Sequence, residues 1–132
     1  TMGRKIEGEE HMENLNHLPY MGWGYWIGEL SKRRIGIHLM RTHAAGTFAL
    51  NCAYLGIPCI GYNDVNTQVN LFPETSFDRG DIVAGRKIAR KLIGDSGFYK
   101  RVSGQAKDLY YSKYTENKFL DNWNNIVKKL YL

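Results

Sequence analysis

Apolar positions along this chain change their period several times, and each change marks a predicted element. From Gly22 to Lys32, Trp23, Trp26, Ile27 and Leu30 recur at helical spacing. Ile35, Ile37 and Leu39 then alternate with Gly36 and His38, as a short strand does. Phe48, Leu50, Cys52, Ala53 and Leu55 fit a buried helix, and Gly56 is a natural stop for it. The apolar run from Pro58 to Gly61 predicts a buried parallel strand. Residues 62–80 read as one long polar connection containing Asp64, Asn66, Gln68, Asn70 and the turn Leu71-Phe72-Pro73. A connection of that length in a compact domain is expected to face a ligand.

Three helices are predicted after it. Asp81 caps the first, which carries Ile82, Val83, Ile88, Ala89, Leu92 and Ile93 and breaks at Gly94-Asp95. The second runs from about Ser96 to Tyr111, with Phe98, Val102, Ala106 and Leu109 on one side. The third runs from about Glu116 to Tyr131, with Phe119, Trp123, Ile126, Val127 and Leu130 on one stripe. The order helix, strand, helix, strand, then helices predicts an α/β fold. It reads as a partial Rossmann-like domain, doubly wound on a parallel sheet, with a helical C-terminal tail. Residues 17–132 are expected to form this domain. Residues 1–16 are polar and weakly patterned: an appended piece, a frayed end, or the tail of a missing element. Two predicted strands are few for a complete sheet, so the chain is expected to be a fragment of a longer protein.

Composition adds a preference for anionic partners. The formal net charge is +5, with basic clusters at Lys32-Arg33-Arg34, Arg86-Lys87 and Lys128-Lys129. None is a run of five like charges, and solvated helix faces explain such clusters as well as partners do. The basic residues do not interleave with aromatics in a nucleic-acid pattern, so no nucleic-acid partner is expected. Trp23, Tyr25 and Trp26 near Lys32-Arg33-Arg34 allow either core packing or an interfacial membrane patch. The two cysteines, Cys52 and Cys59, have no metal-ligand spacing and sit among apolar residues. Two free thiols suit a reducing, cytoplasmic setting, with a peripheral position at the inner membrane face as a variant. No apolar stretch is long enough to span a bilayer.

The candidate chemistry lies in the turn Arg41-Thr42-His43-Ala44-Ala45-Gly46-Thr47, between a predicted strand end and a helix start. In an open α/β sheet, ligands bind at the carboxyl ends of the strands. A helix N-terminus there offers free N–H groups and partial positive charge, which favour a phosphate. Ala44, Ala45 and Gly46 are small enough for a diphosphate to approach the backbone. Thr47 adds a hydroxyl, while His43 and Arg41 add hydrogen bonds or charge. Asn51, one turn deeper on the same helix face, places an amide within reach of a ribose hydroxyl. Each residue also has a structural reading: Thr47 as a cap, His43 as a satisfied loop histidine, the small residues as packing spacers.

These residues resemble the C-terminal domain of glycosyltransferases with two Rossmann-like lobes, closest to the retaining "group 1" family. That family carries two glutamates separated by seven residues, a glycine three after the first, and Gly-x-Pro five after the second. Here His43 and Asn51 stand at the glutamate positions, Gly46 at the glycine, and Gly56-Ile57-Pro58 at the Gly-x-Pro. An inverting glucuronosyl/glycosyl family has a similar box: a histidine on the diphosphate, a glutamate eight residues on for ribose, and a glutamine ten after the proline for the sugar. His43, Asn51 and Gln68 match those places, with asparagine replacing glutamate. The tail from Asp81 through Phe98-Tyr99 to Trp123 is similar to that of group 1 enzymes, so the likeness covers residues 17–132.

The resemblance implies a donor domain for a nucleotide-diphosphate sugar. Arg41, Ala45, Gly46 and Thr47 would hold the diphosphate, and Asn51, Asn66 and Gln68 the ribose and sugar. His43 would be the catalytic residue. The leaving diphosphate would be stabilised by fixed dipoles without metal or other cofactor, since no Asp-x-Asp occurs. The missing partner would be an N-terminal acceptor lobe, so this chain alone would not turn over. Both expected glutamates are replaced, which leaves retaining or inverting chemistry open. Two alternatives stand beside this reading: a nucleotide-sugar epimerase of the same two-lobed fold, and a degenerate, non-catalytic nucleotide-binding or scaffold domain.

Overall fold

The structure, a computed structural model, describes residues 7–39 and 46–131. The chain divides into two compact units, residues 1–30 and 31–132. The first unit holds a short 3-10 turn at Glu9–His11 and nearly all of helix α1, Trp23–Ser31. His17 Nε2 lies 3.1 Å from a Glu9 carboxylate oxygen, tying the turn to the segment before the helix. Leu30 is buried, Trp26 half-buried, and Trp23 and Tyr25 are exposed.

The second unit is mixed α/β. Strands β1 (Gly36–His38), β2 (Cys59–Tyr62) and β3 (Ser76–Phe77) form a parallel sheet in the order β1-β2-β3. Gly36 pairs with Cys59, Gly61 with Ser76, and Tyr62 with Phe77. Helix α2 (Thr47–Leu55) connects the first two strands, and helix α3 (Asn66–Leu71) the second and third. Helices α4 (Ile82–Gly94), α5 (Ser96–Lys113) and α6 (Glu116–Tyr131) follow.

Local chemistry explains most of these boundaries. Gly56 ends α2 with φ of 69°, a left-handed value that glycine adopts without a Cβ penalty. Its N–H donates to Ala53 O at 3.0 Å and the Ile57 N–H to Cys52 O at 2.8 Å, which satisfies two end carbonyls. Asp81 caps α4 by accepting from the Ala84 N–H at 2.9 Å, and Asp95 caps α5 from the Phe98 N–H at 2.9 Å.

The segment 62–80 is not the single polar loop its composition suggests. It folds into α3, a 3-10 turn at Pro73–Thr75 and strand β3. Val65, Leu71 and Phe72 are buried there, together with the polar Thr67, Gln68 and Thr75. Thr67, Gln68 and Thr75 each donate to a backbone carbonyl of the fold, although Gln68 Oε1 has no partner among the described residues, so polar composition hides a core segment.

Successive strand residues point to opposite faces. Gly36, Cys59, Gly61 and Ser76 share the face covered by α2 and α3. A Cβ on Gly36 would lie 2.7 Å from Cys52 Sγ, so α2 packs directly on the backbone of β1. On the opposite face a Cβ on Gly85 would meet the Phe77 ring at 2.8 Å, which brings α4 close under β3. Phe98, Val102 and Ala106 of α5 complete the core, and the Ser103 hydroxyl donates to Gly56 O. Cys52 and Cys59 are free thiols buried in this layer. Burial and the neighbouring Cys52 push the Cys59 thiol well above its ordinary pKa, so it stays protonated and behaves as a small apolar group.

Helix α6 departs from the expected packing. Phe119, Trp123, Ile126 and Leu130 of its stripe are exposed, and α6 has no buried residue. Periodicity identified the amphipathic helix, but nothing among the described residues covers its apolar face.

Candidate functional site

All three strands run the same way, so their carboxyl ends lie along one edge of the sheet. Three connections leave from that edge: after His38, after Tyr62 and after Phe77. Arg41, His43 and Ala45 of the candidate turn lie outside the described residues. Gly46 and Thr47 are described, and they start α2 beside the end of β1.

Gly46 is the N-cap of α2, with φ of −24° and ψ of 113°, and no side-chain cap hydrogen bond is made among the described residues. Thr47 is therefore the first helical residue rather than the cap, and its side chain is exposed. The first N–H groups of a helix have no intrahelical acceptor. Two contacts hold this end in place. The Thr67 hydroxyl of α3 donates to Gly46 O at 2.8 Å. The His38 ring packs on Gly46 so closely that a Cβ there would collide with it.

His38 was read from sequence only as a polar position in a strand. It stands 5.3 Å, centroid to centroid, from the Phe48 ring. Its Nδ1 is buried and has no hydrogen-bond partner among the described residues. Burial lowers its pKa below the ordinary histidine value, so the imidazole is neutral at neutral pH. The folded state therefore takes up this proton less readily than the unfolded chain. That contribution to stability is present above the unfolded pKa and is lost as pH falls toward the depressed folded value. The expected result is a loss of stability from neutral to mildly acidic pH that His38→Asn reduces. Urea unfolding across that pH range measures it, and equal slopes in both proteins would contradict this assignment.

The connections after β2 and β3 add charge at the same edge. Arg79 donates to Asp64 through Nε and approaches the same carboxylate oxygen through Nη2, both at 2.7 Å. Its guanidinium lies 4.8 Å from the Tyr62 ring centroid. The Asn63 amide donates to the Asp78 carboxylate, and the Asn63 N–H to Phe77 O at 3.0 Å. Arg79 is thus a cation fixed at the carboxyl edge by an ion pair and an aromatic face. Sequence reasoning missed it, because its partner Asp64 lies fifteen residues away with no periodic relation.

Comparison with known families, curated proteins and solved structures finds no match. The site therefore rests on its own geometry. Asn51 is half-buried one turn into α2, and Asn66 is exposed at the start of α3. Gln68 lies elsewhere: it is fully buried, with its amide donating to Cys59 O at 2.9 Å and lying 3.4 Å from Ser76 Oγ. It fills the space left by Gly61, where a Cβ would come within 2.8 Å of its amide carbon. In this position Gln68 braces α3 against the sheet and does not face an open surface. No group of three or more potential metal ligands occurs among the described residues.

Proposed function

We propose that this chain is the donor-binding part of a two-lobed glycosyltransferase, in a partial Rossmann-like arrangement, and that the start of α2 takes the diphosphate of a nucleotide sugar. One observation carries the reading. A nine-residue helix begins on a buried glycine at the carboxyl end of a parallel strand, and no side-chain cap hydrogen bond closes that end among the described residues. A diphosphate fits that arrangement because it needs close backbone approach, free N–H donors and the positive end of a helix dipole.

Gly46 and Thr47 supply the backbone and hydroxyl donors in this reading. Arg41, His43 and Ala45 complete the diphosphate contact, with His43 the catalytic residue, as the family resemblance suggests. Asn51 takes the ribose and Asn66 the sugar. Arg79 stands at the same edge, with its charge offset by the Asp64 carboxylate it binds. Gln68 is omitted from the contact set, since its amide is engaged in the core. The acceptor side of the active site would belong to a second lobe, so donor binding is the activity to test.

The experiment is a titration of isotope-labelled chain with UDP, GDP and ADP, followed by backbone amide shifts. One of the three should move the Gly46, Thr47 and Asn51 amides in a saturable way. The pair Thr47→Ala with His43→Ala should weaken that nucleotide about tenfold or more, the loss expected for one or two charge-assisted hydrogen bonds. Absence of saturable shifts for all three, or unchanged affinity in the double variant, would remove this site.

A further inference from the structure

A second surface is independent of the donor reading. Helix α4 contains Arg86, Lys87, Arg90 and Lys91 and no acidic residue. The acids at its ends are engaged: Asp81 caps α4 and Asp95 caps α5. Lys91 lies 4.2 Å from the Phe98 ring centroid. Arg86, Lys87 and Arg90 are exposed and make no ion pair or side-chain hydrogen bond among the described residues.

The spacing of the exposed residues is informative. Ile82, Val83, Arg86, Lys87, Arg90 and Ile93 fall on one face at helical intervals. The opposite face, with Gly85 and Leu92 buried, packs on the sheet side of the unit. Ile82 is 47%, Val83 78% and Ile93 62% exposed. The exposed aliphatics stand at the two ends of this outward face, Ile82 and Val83 in the first turn and Ile93 in the last, with the three cations between them. A merely solvated basic face has no use for three exposed aliphatics in that position. A nucleic-acid surface would use the cations but would dehydrate the aliphatics against phosphates, and this face has no aromatic residue for stacking.

We infer that the outward face of α4 lies on an anionic lipid surface. The bilayer interface accommodates both halves of the pattern. Guanidinium and ammonium groups meet anionic headgroups, while short aliphatic side chains enter the boundary with the acyl chains. No described helix is long and apolar enough to cross a membrane, so the contact is peripheral. With three aliphatics and three free cations it is weak and reversible.

Co-sedimentation of the 132-residue chain with vesicles of phosphatidylcholine, with and without phosphatidylserine, tests the inference. Binding should require phosphatidylserine and fall with salt. Replacing Arg86, Lys87 and Arg90 together with serine should weaken it about 100-fold, from roughly 1 kcal/mol per basic residue at an anionic surface. The pair Arg86→Lys and Arg90→Lys, which keeps the charge, should retain binding. The pair Val83→Ser and Ile93→Ser should weaken it several-fold and abolish the part that survives high salt. These positions are exposed, so unchanged thermal melts are expected for all variants. The inference is overturned by no sedimentation, by equal binding to neutral vesicles, or by full binding of the triple-serine variant. It is also overturned if an oligonucleotide binds more tightly than the vesicles and is lost in the same variant.

Discussion

Gln68→Ala should lower the unfolding free energy by about 2–4 kcal/mol, one of the larger single-residue effects available in this chain. The glutamine is fully buried and occupies the volume over Gly61, so truncation leaves a cavity between α3 and β2. It also removes the donation to Cys59 O, although Thr75 Oγ1 still donates to that oxygen. Gln68→Met, close in volume but without the donor, should cost less than alanine, and the difference between the two separates packing from hydrogen bonding. Urea unfolding measures both. Nucleotide affinity of the folded protein should be nearly unchanged. A Gln68→Ala protein of wild-type stability with lost sugar-nucleotide binding would return this residue to the surface role that its spacing suggests.

Gly46→Ala tests the other end of the same layer, and it should reduce nucleotide affinity about tenfold or more, equivalent to roughly 1.4 kcal/mol. A methyl group on Gly46 would collide with the His38 ring, so that ring or the start of α2 must shift. Stability should also fall, by about 1–3 kcal/mol for overpacking a close contact. The partner in the collision is a side chain, so the effect is conditional on it. Adding His38→Ala should recover most of the lost stability, with a coupling of about 1 kcal/mol or more in a double-mutant cycle. Additive stabilities would show that the imidazole does not pack on Gly46. Retained affinity in the single variant would place phosphate binding elsewhere, whatever the stability shows.

These two residues also show how far the chain could be read without coordinates. Gly46 was recognised because a small residue before a helix start has a local meaning. Gln68 was assigned to a ligand because it stands ten residues after Pro58, as the sugar-binding glutamine of the resembling family does, in a polar connection whose side chains are ordinarily solvated. The stretch Asn66–Leu71 becomes a helix with Thr67 and Gln68 buried. That outcome depends on acceptors at Gly46 and Cys59 supplied by other elements. Strand β3 has only two residues, too few for alternation to register, and it exists through its pairing with β2.

The sequence by itself determined the elements whose causes are local. The left-handed stop at Gly56, the aspartate caps of α4 and α5, and the long amphipathic run of α6 all follow from residues within a turn or two of one another. Tertiary structure alone decided which polar groups face inward and which charges meet. His38 against Gly46, Arg79 between Asp64 and Tyr62, and Gln68 over Gly61 join residues seven or more positions apart. The physical reason is that burying a polar or charged group is costly unless a partner is already in place, and chain order does not disclose where the sheet will bring that partner.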